Sequence, residues 1–184
     1  MKKLSLILML LSLGSLSLHA QESNASKRQE RKEAREAAVA ENAKQLNVIL
    51  QDKEFYFYAQ KATSSLPRMK FIDLSSDNYN VVVKKDDIYL DLPYYGVSQS
   101  LIVDRDDNPV CFKGKITSYK ISGDLTSKIG QTIVVETQGD DNKFTRLTFY
   151  IFDNSTARLV IQKQGLTDIE FSGKVEEIPQ NKSK

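Results

Sequence analysis

Residues 144–176 read FTRLTFYIFDNSTARLVIQKQGLTDIEFSGKVE, and this stretch decides the fold. Apolar and polar side chains alternate along it with the period of two that is typical of half-buried β-strands. The alternation stops at Asp153-Asn154-Ser155 and again at Gln164-Gly165, which are typical turn sequences. The stretch therefore predicts three antiparallel strands joined by short turns.

The same alternation continues upstream of residue 144. Shorter runs of this kind occupy residues 54–59, 69–74, 79–84, 88–92, 110–116 and 132–137. Successive strands at such short spacing predict an antiparallel meander, because a parallel pair needs a crossover of about a dozen residues or more. About eight strands with one apolar face predict a mainly β fold, either a small lipocalin-like barrel or a strongly bent sheet.

These strands differ from those of an outer-membrane barrel. Several are shorter than the roughly 9–11 residues that a strand needs to cross a bilayer. The chain also has no Trp, a residue that is common in the interfacial belts of such barrels. The pattern therefore favours a barrel whose apolar face points inward.

One helix is predicted before the sheet, from about Ala34 to Leu50. Val39, Ala43, Leu46 and Leu50 recur at the spacing of a single helical face. Charged residues occupy the other faces, which is the pattern of a solvated surface. We expect this amphipathic helix to cover an open end or an edge of the sheet.

The chain begins with the features of an export signal. Lys2 and Lys3 precede an apolar run, Leu4 to Leu18, that is too short to span a bilayer comfortably. Ala20 then supplies a small residue before the polar residues that follow. We predict cleavage near this point and an exported protein, periplasmic or extracellular.

The predicted organisation has one folded domain, since no internal repeat and no long Pro/Gly linker divides the chain. In chain order we predict a signal peptide over residues 1–20, a charged flexible leader over 21–33, a β-barrel-like domain with its N-terminal helix over 34–178, and a flexible tail over 179–184.

Removal of the signal changes the composition on which function depends. Two of the 26 Lys and Arg residues leave with it, so 24 remain against 24 Asp and Glu. This neutral balance disfavours nucleic acid as a partner. The single histidine, His19, also leaves, which excludes Ser-His-Asp and Cys-His nucleophiles and most zinc sites. We therefore expect a non-enzymatic protein with no metal and no other cofactor.

Cys111 is the single cysteine, so no internal disulfide can form. It lies far from the predicted cleavage point, and we expect the exported protein not to be lipidated. A lone thiol is more often a buried small hydrophobe than a reactive group, and pairing between chains is the alternative. The fold must then be held by burial of its core.

A tyrosine-rich strand end is the candidate contact surface. Tyr89 precedes Pro93, which cannot donate to a central ladder, and Tyr94 and Tyr95 follow on opposite faces. One interpretation is that Tyr89, Tyr94 and Tyr95 contact a ligand or partner at a barrel mouth. The other, which we favour, is a structural corner in which one Tyr packs and its hydroxyl caps a backbone group.

Two acidic patterns carry less weight. Asp104 to Asn108 places oxygen ligands at alternate positions, as a calcium loop does, but Pro109 stands where that loop needs Gly and Lys115 where it needs Glu. A solvated turn is the better interpretation. Paired carboxylates could in principle hydrolyse glycosides without His, but 24 acidic residues supply many chance pairs.

The segment Leu92-Pro93-Tyr94-Tyr95-Gly96 resembles the Leu-Pro-Tyr-Phe-Gly signature of a family of secreted proteins of unknown function, common in Bacteroides-like bacteria. Tyr95 replaces the usual Phe. An Arg expected shortly before the last strand is absent from residues 164–167, so this chain has no counterpart of that side chain.

Other segments that resemble the same family stand in the same order along the chain. They are Phe55 to Ala59 with Ala62 and Pro67, Tyr79 to Val81, and Ile169 to Val175. The resemblance spans residues 45–178. It implies a β-barrel-like domain with a preceding helix in the envelope of a Gram-negative anaerobe, and it brings no known activity.

Three functions are compatible with these observations. The first is a non-enzymatic exported β-domain that binds a small apolar or amphipathic molecule inside the barrel, or an envelope partner at its rim. The second is a structural or assembly protein of the cell envelope that acts through its surface and its charged N-terminal segment. The third, ranked last, is a hydrolase that uses paired carboxylates.

Overall fold

The computed structural model describes residues 2–63, 71–94, 108, 110–127, 129–139 and 142–179, with helix side chains from residue 27 onward. The elements are α1 (Lys2–Gln51), β1 (Glu54–Thr63), β2 (Ile72–Asp73), β3 (Asn80–Lys84), β4 (Asp87–Asp91), β5 (Cys111–Gly123), β6 (Gln131–Gly139), β7 (Phe144–Ile151), β8 (Thr156–Lys163) and β9 (Ile169–Glu176).

The strands form a closed antiparallel barrel. The sheet order is β2-β1-β3-β4-β5-β6-β7-β8-β9, and an additional pairing of β1 with β9 closes the ring. Phe57 of β1 lies opposite Val81 on one side and Val175 on the other. Eight strands make the barrel, and the two-residue β2 extends the sheet beside the end of β1. The mainly β prediction is confirmed, and of its two forms the closed barrel is the observed one.

A β-bulge in β1 explains a break in its alternation. The register with β9 shifts between Ala59 and Lys61, so Gln60 is the extra residue. Phe57 and Ala59 point into the barrel before the bulge, and Ala62 takes the buried position after it. The bulge bends β1 at the seam where the barrel closes.

Gly173 lies on the other side of this seam, opposite Ala59. A Cβ at that position would run into the backbone carbonyl of Tyr58. Only a glycine therefore lets β1 and β9 approach closely enough to pair.

Side chains fill the barrel interior with one continuous apolar cluster. Its largest members include Phe55, Phe57, Phe149 and Phe171, all with no exposed area. The rings of Phe55 and Phe149 meet edge to face with centroids 5.4 Å apart. An eight-stranded barrel has an interior just wide enough for side chains, and in this barrel apolar side chains occupy it.

The last turns of α1 belong to the same cluster. Ala43, Leu46 and Leu50 are buried there, which confirms that the apolar stripe of the helix covers one end of the sheet. Asn42 fixes this contact, because its Nδ2 donates to the carbonyl of Asp153 at 2.6 Å. We call this end of the barrel the helix end.

The helix ends at a backbone position that favours glycine but holds Lys53, at φ 57°. The carbonyl of Leu50, one of the last in the helix, accepts hydrogen bonds from the Lys53 N–H at 3.3 Å and from the Tyr119 hydroxyl at 2.7 Å. The Tyr119 side chain therefore caps the helix from within β5.

The chain divides into two compact units, Met1–Ala40 and Glu41–Lys184. In the first unit α1 continues through residues 21–33, where the composition predicts a flexible leader. Residues 27–38 are exposed and rich in good helix formers, and the Lys32–Glu36 ion pair at 3.8 Å is one of their local contacts. The signal peptide, its cleavage and the flexible leader stay predictions. Within the described residues, no helix has the length and apolar character needed to cross a bilayer.

Candidate functional site

The end of the barrel opposite the helix end, which we call the rim end, contains a layer of buried polar side chains on three adjacent strands. The layer consists of Thr137, Thr145 and Lys163, on β6, β7 and β8. Thr145 lies opposite Thr137 on one neighbouring strand and opposite Lys163 on the other. All three residues are buried, with at most 6% of the surface exposed. Since buried polar groups cost free energy, such a layer needs an explanation beyond packing.

Each group in the polar layer has a different environment. The Thr137 hydroxyl donates to the carbonyl of Lys115 at 2.8 Å. The Lys163 ammonium lies 4.5 Å from the centre of the Phe112 ring, within range of a cation–π interaction. The Thr145 hydroxyl has no hydrogen-bond partner in the described part of the chain.

Gly114 is part of the reason that Thr137 fits. A Cβ at Gly114 would lie 2.5 Å from the Thr137 hydroxyl oxygen and 3.3 Å from the Phe112 ring. A larger residue would displace one of them, so the sequence at this point makes room for the polar layer.

A cleft opens beside the polar layer, with a volume of about 420 Å³. This rim cleft is lined by Phe144, Arg146, Gln162, Lys163, Gln164 and Asp168. The residues come from β7, β8 and the β8–β9 turn. Lys163 joins the cleft to the polar layer, because it belongs to both.

An aromatic ring and a guanidinium group form one wall of the rim cleft. Phe144 is 45% exposed, a large fraction for an aromatic side chain. The guanidinium of Arg146 lies 5.7 Å from the centre of that ring. Arg146 is held in place by Glu136, whose Oε1 accepts from Nη2 at 2.9 Å and from Nε at 3.2 Å.

Polar side chains of β8 and the β8–β9 turn line the rest of the cleft. The amide of Gln162 donates through Nε2 to Asp168 Oδ2 at 2.8 Å. The backbone N–H of Gln164 donates to the carbonyl of Phe144 at 3.1 Å, which holds the turn against the start of β7. The walls are thus fixed by hydrogen bonds before any ligand arrives, which reduces the entropy cost of binding.

Tyr94 braces this turn. Its hydroxyl accepts a hydrogen bond from the Thr167 N–H at 3.1 Å and lies 3.1 Å from the Thr167 hydroxyl. The ring is half-buried and packs against the core. This geometry is that of a structural corner, in which a tyrosine hydroxyl satisfies a backbone group next to Asp168.

The other two candidate tyrosines are placed differently. Tyr89 points outward from β4, 40% exposed, and the Lys113 ammonium lies 4.8 Å from the centre of its ring. Tyr95 lies outside the described residues. A ligand-contact role for Tyr89, Tyr94 and Tyr95 stays a prediction.

The remaining candidates have structural roles where they are described. Asn108 donates through Nδ2 to the carbonyl of Leu92 at 2.8 Å and accepts from the Val110 N–H at 3.1 Å, so its amide organises the chain before β5. Residues 104–107 lie outside the described part. Cys111 is half-buried, with its Sγ 3.7 Å from Asp91 Oδ1. Among the described residues, no group of three or more His, Cys, Asp or Glu side chains is arranged to hold a metal.

Three carboxyl groups with lowered pKa values lie at turns and edges rather than in the rim cleft. Hydrogen bonds from Ser75 lower the pKa of Asp73, that from Lys115 lowers the pKa of Asp87, and those from Thr126 lower the pKa of Asp124. These carboxylates stabilise local turns or an ion pair. Their perturbation does not mark a second site.

The sequence carries a signal for the polar layer, although no known motif contains it. Thr145 and Lys163 occupy the inward-facing positions of strands whose other inward residues are apolar. A charged residue in phase with the core is unusual and could have been singled out. The rest of the rim cleft gave no such signal, because Arg146 and Gln162 resemble any solvated strand face.

A closed antiparallel barrel with a filled interior and a polar rim cleft defines the class: a small β-barrel protein whose candidate site is at its rim. The family model of a domain of unknown function, DUF4251, matches residues 37–175, which is more than half of the chain. The chain belongs to the DUF4251 family.

A solved structure supports the fold. The crystal structure of a DUF4251 family protein from Bacteroides eggerthii DSM 20697 has 18% sequence identity and a TM-score of 0.55. The match covers 80% of this chain and 93% of that one. At this identity the likeness concerns the fold alone. No curated protein matches the chain.

Proposed function

We propose that this chain is an exported, non-enzymatic β-barrel domain that binds an amphipathic ligand at its rim cleft. The observation that carries the proposal is the combination, in one recess, of the exposed Phe144 ring with fixed polar groups on both walls. Ligand sites are typically concave, with an apolar contact surface and a few positioned polar groups.

The rim cleft is a better site than the barrel interior. Phe55, Phe57, Phe149 and Phe171 occupy the centre of the barrel together with the other members of the core cluster. A ligand in that space would have to displace buried rings, at a cost of about 3 kcal/mol or more for each. Binding at the rim leaves the core intact.

A non-enzymatic role is supported by the chemistry of the cleft walls. Asp168 is the one acidic side chain among the described lining residues, whereas glycoside hydrolysis requires two carboxyl groups. Glu136 is close by through Arg146, which engages its carboxylate. The predicted loss of His19 with the signal removes the imidazole that most general base catalysis uses.

An assembly role is the second candidate, and one observation favours it. Residues 27–38 of α1 are exposed and densely charged, which suits a partner of complementary charge. A specific partner that is captured by the full chain, and lost when residues 21–40 are deleted, would favour this role over ligand binding.

Native mass spectrometry of freshly purified exported protein tests the proposal. We expect a mature chain that starts near Gln21 and retains a bound small molecule. Arg146→Gln should lose that molecule, because the guanidinium forms one wall of the cleft. The matched control is Arg158→Gln, since Arg158 also stacks on an outward aromatic ring, that of Tyr150 at 4.5 Å, outside the cleft lining.

Three outcomes would overturn parts of the proposal. If the exported protein still begins at Met1, the predicted signal peptide is not cleaved and this part of the proposal is wrong. If the Arg146→Gln variant keeps the bound molecule but a core variant loses it, the ligand binds in the barrel interior. A ligand that is released chemically changed establishes an enzyme.

A further inference from the structure

The charge balance of the rim cleft restricts its ligand. Arg146 brings a positive charge, but both of its contacting nitrogens are already engaged by Glu136 Oε1, at 2.9 and 3.2 Å. Lys163 brings a second positive charge and Asp168 a negative one. Among the described residues, the positive charges of Arg146 and Lys163 are therefore balanced by the negative charges of Asp168 and Glu136, and this group gives an anionic ligand no net attraction.

The hydrogen-bonding groups restrict it further. Gln162 donates one amide N–H to Asp168 Oδ2, so these side chains use one nitrogen and one oxygen on each other. Gln162 has a second amide N–H and Asp168 has a second carboxylate oxygen. Arg146 has five N–H donors, more than the two nitrogens that Glu136 contacts. A purely apolar ligand would cover these donors and acceptors without replacing their water, which opposes binding.

A neutral carbohydrate matches both restrictions, and we infer that the rim cleft binds a neutral saccharide. Each sugar hydroxyl both donates and accepts, so it can serve the carboxylate of Asp168 and the N–H groups of Arg146 or Gln162 alike. The apolar C–H face of a sugar ring suits the exposed Phe144 ring, which Arg146 holds in position. This inference rests on the proposed function and names its ligand class.

The size of the cleft agrees with this class. Its volume of about 420 Å³ falls within the range of small-molecule sites, and the six described lining side chains suit one or two sugar rings rather than a long chain. Tyr94 stabilises the site, since its hydroxyl accepts a hydrogen bond from Thr167, the residue before Asp168.

Titration of the full chain with defined probes, followed by ¹H–¹⁵N NMR, tests the inference. The neutral probes are maltose, cellobiose and N,N′-diacetylchitobiose, and the comparison probes are glucuronate, laurate and a neutral tetrapeptide. We expect saturable shifts with at least one neutral disaccharide, at amides of β7, β8 and the β8–β9 turn. Laurate should give no saturable shifts at these amides.

Two pairs of variants locate the binding. Phe144→Ala and Arg146→Gln should weaken the affinity for the disaccharide by about tenfold or more, because the first removes the stacking ring and the second removes the guanidinium donors. Tyr150→Ala and Arg158→Gln alter an equivalent ring and guanidinium on the same outer surface, and they should change the affinity less than about twofold. Circular dichroism and thermal melts of all four variants verify that they are folded.

The outcomes separate the inference from the proposed function. Saturable disaccharide binding that the Phe144 and Arg146 variants weaken supports both. If laurate, glucuronate or the peptide binds in a way that depends on these two residues and no neutral disaccharide binds, the carbohydrate inference is wrong. The proposed binding role of the cleft would then still stand. If no probe binds in a way that depends on Phe144 or Arg146, both fail.

Discussion

The two ends of the barrel bury different sets of residues. At the helix end, Leu46 and Leu50 enter the apolar cluster and are almost completely buried. At the rim end, the corresponding depth holds Thr137, Thr145 and Lys163. Gln131, at the start of β6, is also buried at the helix end, so the difference is one of proportion. The α1 side chains add apolar area at the helix end, whereas three buried polar side chains lie together on adjacent strands at the rim end.

The largest effect is expected at the helix end. Leu50→Ala should destabilise the protein by about 2–5 kcal/mol, because it leaves a cavity where a fully buried side chain joins the helix to the barrel. Urea denaturation measures the change. Val48→Ala is the matched control, since Val48 is 57% exposed on the same helical turn and its truncation should cost less than about 0.5 kcal/mol. Equal losses would show that the helix does not close the barrel.

A smaller effect is expected for the hydroxyl that caps the helix. Tyr119→Phe should cost about 1 kcal/mol, the usual net value of one hydrogen bond, because Leu50 loses its 2.7 Å donor. Burial raises the pKa of Tyr119. The protonated Tyr119 hydroxyl makes its full contribution to the free energy of unfolding below about pH 10, the ordinary pKa of tyrosine. This contribution falls as the pH rises above that value.

Melting curves at about pH 8 and about pH 11 test this dependence. The wild-type protein should lose more stability between these two conditions than Tyr119→Phe, which has no hydroxyl to ionise. An identical alkaline loss in both proteins would contradict the burial of this hydroxyl against the helix.

At the rim end, an apolar substitution should raise the free energy of unfolding instead of lowering it. Thr145→Val removes a hydroxyl that has no partner in the described part of the chain, so we expect a gain of up to about 1 kcal/mol in the free energy of unfolding. Thr148→Val, on the outward face of the same strand, should change it by less than about 0.5 kcal/mol. A loss of stability in Thr145→Val would show that the polar layer is structural.

The smallest effect is local. Tyr94→Phe removes the acceptor of the Thr167 N–H, so the amide of Thr167 should exchange with solvent faster by about three- to tenfold, while global stability changes by about 1 kcal/mol at most. Hydrogen exchange followed by NMR measures this rate. Tyr150→Phe, on the outer face of β7, should leave it unchanged. If both variants behave alike, Tyr94 does not brace the turn beside the rim cleft.

The strands were the easiest feature to predict. The alternation over residues 144–176 places β7, β8 and β9 almost at their observed bounds, because one face of each strand is buried and the period is local. The helix predicted from Ala34 to Leu50 lies within α1, which spans Lys2–Gln51. The bulge at Gln60 was not foreseen, because it arises from pairing with a distant strand.

By itself the sequence determined an antiparallel meander with one apolar face and a helix to cover its end, because periodicity and turn chemistry act between near neighbours along the chain. Closure between β1 and β9 was decided only by the tertiary structure, because these strands lie at opposite ends of the domain in sequence and no local pattern encodes their pairing. The pairing of Arg146 with Gln162 follows from the β7–β8 hairpin, whereas the contact of Lys163 with Phe112 depends on the curvature that brings β8 and β5 together across the barrel.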